Sequence, residues 1–76
     1  MRHEPTHRVL SVIEALSIEG PPLPLAEIAR ATGASRSTLH AVLAEMQAEQ
    51  WAEKLEGGWR AGPRMRSVAA SLSAEV

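Results

Sequence analysis

The sequence predicts a mainly α-helical domain with one small β-hairpin, on three observations. Apolar residues recur at helical spacing over Thr6–Ile18, Leu25–Thr32, the stretch after Ser35 to about Gln50, and from Arg64 onward. Two short runs, Trp51–Leu55 and Trp59–Ala61, flank Glu56-Gly57-Gly58, and a Gly-Gly pair between strands favours a tight hairpin turn because primed turns need positive φ. The strongest breakers, Gly20-Pro21-Pro22, Gly33 and Gly62-Pro63, fall between these segments and not inside them.

Taken in order, Met1–Pro5 reads as a loose arm, and the Thr6 hydroxyl is the expected cap of a first helix. That helix carries more apolar residues than one stripe needs. Leu10, Ile13 and Leu16 are assigned to the core, and Val9 and Val12 to contact with a partner helix. Leu23-Pro24-Leu25 is short and extended, as suits an edge strand that tolerates proline. The second helix, Leu25–Thr32, is expected to bury Leu25, Ile28 and Ala29 and to end at Gly33. It has no good capping residue at its start. Ser35 caps the third helix, in which Leu39, Val42, Leu43 and Met46 form a stripe at i, i+3, i+4 and i+7. After the hairpin, Met65, Val68, Ala69, Leu72 and Val76 repeat at helical spacing. Helix, short strand, helix, turn, helix, hairpin, helix is the order of a winged helix-turn-helix: a three-helix core plus wing, followed by a linker helix.

Composition bounds the function. A chain of 76 residues buries only about 60% of its unfolded surface, so a partner subunit would help stabilise it. Absence of cysteine excludes disulfides, thiolate metal sites and a thiol nucleophile, and accords with a cytoplasmic protein. No apolar run approaches the ~20 residues of a membrane span. The three histidines, His3, His7 and His40, lack a ligand spacing, so no metal is expected. Without Asp, Cys or Tyr, and without a nucleophile-base spacing or phosphate loop, neither catalysis nor a cofactor is expected. Net charge is −1, whereas a free-standing nucleic-acid module is usually basic. The charge is two-sided, however. Acids are absent between Glu27 and Glu45 and from Gly57 to Ala74, and they concentrate at Glu45, Glu49, Glu53 and Glu56. Such a distribution still offers a basic face to phosphate.

Three motifs carry a resemblance over nearly the whole chain. Leu25-Ala-Glu-Ile-Ala-Arg-Ala-Thr-Gly33, Arg36-Ser-Thr-Leu-His40 and Trp59-Arg-Ala-Gly-Pro-Arg64 together are similar to the N-terminal domain of IclR-type transcriptional regulators. The resemblance implies binding to a double-stranded DNA operator and a homodimer. It also implies an effector ligand sensed by a separate domain absent from this chain, so the chain is expected to be a fragment, with a short relative that lost its sensor as the alternative. The domain would occupy residues 1–62, and residues 63–76 would begin the linker and dimerisation helix. Two departures stand out: Ala41 replaces a common Arg, and Ser35 a frequent Pro.

Within this frame the DNA-binding candidates are Arg30, Ser35, Arg36, Ser37, Thr38, His40, Ala41 and Arg60. Arg36 has the planar fork that pairs with guanine O6 and N7 or with a phosphate; otherwise it is a solvated surface residue. Ser37 and Thr38 suit phosphate and base edges, or one of them caps the helix. His40 shares the Arg36 and Ser37 face by i+4 and i+3 spacing, and reads equally as an exposed histidine. Arg60 is expected beside the minor groove, with Trp59 turned inward and Trp51 in the core. Arg30 is either a phosphate clamp or the partner of a nearby Glu. Dimerisation is assigned to Val9, Val12, Met65, Val68 and Leu72. The alternative is a winged helix that binds proteins through the acidic strip or the apolar surplus of the first helix.

Overall fold

The computed structural model describes residues 1–74. Helix α1 spans Glu4–Leu16 and starts three residues earlier than the Thr6 cap predicted. Pro5 sits in its first turn, where no intrahelical N–H partner is lost. The cap is His3, whose Nδ1 accepts from the Thr6 backbone N–H at 3.3 Å. The helix stops at Leu16, where the Ser17 hydroxyl donates to the Glu14 carbonyl at 2.7 Å. Ile18 therefore lies outside it and is exposed.

The face that α1 buries differs from the expectation. Val12 is completely buried and Leu10 is 54% exposed, reversing their assigned roles. A step of three residues falls about 60° short of a full helical turn, so Leu10, Ile13 and Leu16 drift around the cylinder. Val9, Val12, Ile13 and Leu16 follow the tighter i, i+3, i+4, i+7 stripe; its last three members meet the core, while Val9 stays exposed.

Helix α2, Leu25–Thr32, begins at Pro24 without a side-chain cap, as the sequence predicts. Ile28 is its one fully buried residue, whereas Leu25 and Ala29 are partly buried against the core. Gly33 ends the helix in the left-handed region at φ 73°, and its N–H donates to the Ala29 carbonyl at 2.8 Å. Helix α3, Arg36–Ala48, starts from Ser35, whose Oγ accepts from the Thr38 N–H at 3.1 Å. Leu39, Leu43 and Met46 are buried beneath it.

Helix α3 ends two residues before Gln50 because the chain turns there without a glycine. Gln50 is left-handed at φ 67°. The Trp51 N–H reaches the Met46 carbonyl at 2.7 Å, and the Gln50 N–H reaches Gln47 at 3.1 Å. These two bonds form a Schellman closure.

Strands β1, Ala52–Leu55, and β2, Gly58–Ala61, pair antiparallel across a two-residue turn, Glu56-Gly57. Gly58 is thus the first residue of β2, not part of the turn. Leu23 adds one residue of extended chain beside β2: its N–H donates to the Trp59 carbonyl at 2.7 Å, and its own carbonyl accepts from the Trp59 N–H at 2.9 Å. Trp59 is turned inward and buried, as predicted. Trp51 is half-buried and packed against the core, with the Arg64 guanidinium 5.7 Å from its ring centroid.

Helix α4, Pro63–Ser73, leaves from Gly62. The Gly62 N–H donates to Trp51, and the Arg64 N–H donates to the Gln50 carbonyl, each at 2.9 Å. A Cβ at position 62 would lie 2.4 Å from that same carbonyl oxygen, so only glycine permits this approach. Met65 is buried in the common core. Val76, the last member of the expected repeat, lies outside the described residues. The described residues form a winged helix-turn-helix with a fourth helix attached at its base.

Three stability effects are expected in urea unfolding. Val12→Ala removes two buried methyls and costs about 2 kcal/mol, whereas Leu10→Ala stays within about 0.5 kcal/mol of the parent. Ser35→Ala removes the cap of α3 and costs about 1 kcal/mol. Gln50→Gly relieves the left-handed side chain and adds about 1 kcal/mol.

Candidate nucleic-acid interface

Burial of Leu39, Leu43 and Met46 fixes which residues α3 shows to solvent. Arg36, Ser37, His40 and Ala41 are exposed on its N-terminal half. Ser35 precedes them as the cap, and its hydroxyl donates to Thr38 Oγ1 at 3.0 Å. Thr38 is half-buried and takes part in this capping pair, while the Ser37 hydroxyl makes no hydrogen bond among the described residues. Of the two hydroxyls left open by the sequence, Thr38 is the one engaged with the helix start.

The charged candidates divide by their partners. Arg36 makes no ion pair among the described residues and projects from the first turn of α3. Arg30 is held by Glu27 of the same helix at 3.1 Å, the carboxylate partner that was one of its two readings. Arg60 is held by Glu53 across the hairpin at 2.7 Å. Both pairs are solvent-exposed, so each is weak and exchangeable. His40 is exposed and makes no hydrogen bond among the described residues.

The wing holds a cation that sequence reasoning did not single out. Lys54 lies opposite Trp59 in the hairpin, with its ammonium 5.6 Å from the indole centroid. The signal was present in the strand spacing, since a two-residue turn at Glu56-Gly57 pairs 54 with 59. Counting Gly58 into the turn obscured it. Lys54 and Arg60 thus bring two cations to one wing, on its opposite faces, because alternate strand residues point to opposite sides.

A groove of about 820 Å³ separates α3 from α1. Ser37, Thr38, Ala41 and Val42 form one wall, and Val9 and Ile13 the other. Ala41 leaves the middle of this wall low.

Among the residues assigned to dimerisation, Val9, Val68 and Leu72 retain exposed surface. Val12 and Met65 do not: each belongs to the domain's own core and has little or no surface to offer a partner. No group of three metal-ligating side chains occurs among the described residues, and none of their helices is long and apolar enough to cross a membrane.

The electrostatics of the acidic strip are equally divided. Glu49 faces Arg64 at 3.7 Å and Glu53 faces Arg60, so half of the strip is already partnered within the domain. Glu45 borders the α1–α3 groove, and Glu56 occupies the hairpin turn.

Comparison with curated proteins and with solved structures finds no match. The family model for the IclR helix-turn-helix domain matches residues 6–56. That segment runs from the first turn of α1 through the first residue of the wing turn, and so contains the capped α3 with its exposed face. The chain belongs to the IclR helix-turn-helix family, whose members are DNA-binding regulator domains.

Proposed function

We propose that the chain binds double-stranded DNA sequence-specifically, as the DNA-binding domain of an IclR-like transcriptional regulator. Helix α3 lies in the major groove and the hairpin touches the flanking backbone. The observation that carries this reading is the exposed first half of α3, where Arg36, Ser37, His40 and Ala41 stand clear of a core that fixes their direction. A helix presented in this way places its N-terminal side chains against base edges. Arg36, unpaired within the domain, supplies the donor fork for guanine or phosphate. Ser37 and His40 add polar contacts beside it, and Ala41 permits close approach. Ser35 and Thr38 hold the first turn in register. Arg30 and Arg60 exchange their carboxylates for phosphates on either side, and Lys54 adds charge at the wing.

The functional unit is a homodimer. Val9 on α1 and Val68 and Leu72 on α4 provide the apolar surface, with residues 1–62 as the DNA-binding domain and residues 63–76 beginning the linker. Two-fold symmetry then predicts a roughly palindromic operator with half-sites about 10 base pairs apart, or a multiple of that. An effector acts through a separate sensing domain, and the working compartment is the cytoplasm.

Selection of duplexes from a random pool, followed by titration at two salt concentrations, tests the reading. Arg36→Ala is expected to cost about 1–3 kcal/mol on the selected duplex and to relax preference at one position. Arg60→Ala is expected to weaken binding to the selected duplex and to flatten its log K against log salt slope by about 0.9. Absence of salt-sensitive binding at low ionic strength overturns the reading and leaves a protein-binding winged helix in its place.

A further inference from the structure

Glu53 and Arg60 are register partners in the hairpin, and Arg60 Nε donates to Glu53 Oε2 at 2.7 Å. Directly opposed residues of antiparallel strands project to the same face. This face is the one turned away from Trp59, which packs into the core. The Arg60 and Glu53 side chains remain 46% and 39% exposed, so water and competing anions reach the pair. The bond uses Nε alone, and the two terminal nitrogens of Arg60 make no hydrogen bond among the described residues. Arg60 is therefore held at one edge of its fork while the other edge faces solvent. Glu56, three residues along, carries the same charge in the turn and pairs with no cation among the described residues.

Resting on the DNA-binding reading above, we propose that Glu53 is a specificity-determining residue of the wing. Its carboxylate occupies the Arg60 guanidinium until a phosphate held in fixed position displaces it. On a cognate duplex, base contacts from α3 fix the register of the backbone, and one phosphate meets Arg60 in steady geometry with a charge-assisted bond. On other duplexes the protein has no fixed register. A phosphate passing through many positions competes poorly with a carboxylate already in contact across the hairpin. The cation then stays with Glu53, one fewer counterion is released, and non-cognate binding is weakened more than cognate binding.

The test is a set of anisotropy titrations with the chain as it exists. The proteins are the parent, Glu53→Gln and Glu56→Gln, each with and without Arg60→Ala. The probes are a duplex selected from a random pool and a scrambled duplex of the same composition, at two salt concentrations. Glu53→Gln is expected to tighten binding to the scrambled duplex about two- to fivefold and to steepen its salt slope by about 0.9. Tightening on the selected duplex is smaller, so the ratio between the two falls. Glu56→Gln shifts both duplexes equally, and in the Arg60→Ala background Glu53→Gln behaves like Glu56→Gln. The proposal is overturned if Glu53→Gln leaves the ratio unchanged, weakens binding, or keeps its full effect without Arg60. If the parent binds neither duplex in a salt-sensitive way, the DNA-binding reading fails and takes this inference with it. Salt-sensitive binding with an unchanged ratio sinks only the role of Glu53.

Discussion

The apolar stripe of α3 sets almost everything else. Leu39 and Leu43 lose all exposure, and with Ile28 and Val12 they are the largest side chains in the domain to do so. In so small a core, few interior contacts are available to hold a helix at a fixed rotation. A turn of α3 about its axis by one residue would expose a leucine and bury a polar neighbour, at a cost of some 2 kcal/mol or more in apolar burial alone. The rotation of α3 is therefore fixed by what lies beneath it, and the outward direction of Arg36, Ser37 and His40 follows from that. No contact made by those three residues inside the domain is needed to aim them.

The same frame explains how a chain of net charge −1 belongs to a family that binds a polyanion. Total charge matters less than where carboxylates have already been engaged. Four of the five ion pairs among the described residues join residues that are near in sequence or opposed across the hairpin: Arg2–Glu4, Arg8–Glu4, Arg30–Glu27 and Arg60–Glu53. The fifth ties Arg64 of α4 to Glu49 at the end of α3. Pairing of this kind lowers the field of both partners at a distance. Arg36 lies outside the whole set. Lys54 and Arg66 also lie outside it, and of these three cations Arg36 is the one that stands on the helix with the outward polar face.

Much of this was legible in the sequence, wherever one local rule had no competitor. Gly33, Ser35, the i+3 and i+4 spacing of α3 and the hairpin were read from residue types whose physical preferences are strong. The errors fall where two local rules compete, or where a tertiary contact decides. In α1 the apolar residues outnumber one stripe, and grouping them in steps of three put Leu10 inside, where the i, i+3, i+4, i+7 spacing puts Val12 against the core. Met65 looked like part of an outward stripe because the sequence does not show that the first turn of α4 folds back under the domain. The end of α3 was placed too late because Gln50 is an unusual left-handed residue, and only its backbone bonds reveal the closure. Among the site candidates, spacing placed Arg36, Ser37 and His40 on one exposed face. A nearby Glu was one of two readings for Arg30, whereas the carboxylate that holds Arg60 was not foreseen, since that bond depends on the hairpin register.

The junction at Gln50, Trp51 and Gly62 has a mechanical consequence. Three backbone bonds meet there: Trp51 to Met46, Gly62 to Trp51, and Arg64 to the Gln50 carbonyl. The last turn of α3 and the first turn of α4 are joined through main chain, with no flexible spacer between the bonds. Main-chain bonds in a tight closure resist shear better than a side-chain contact that can change rotamer. A torque on α4 is therefore delivered to the axis of α3 and not dissipated in a hinge. The helix that leaves the domain and the helix that presents its polar face behave as two arms of one bent lever, with its fulcrum at a glycine.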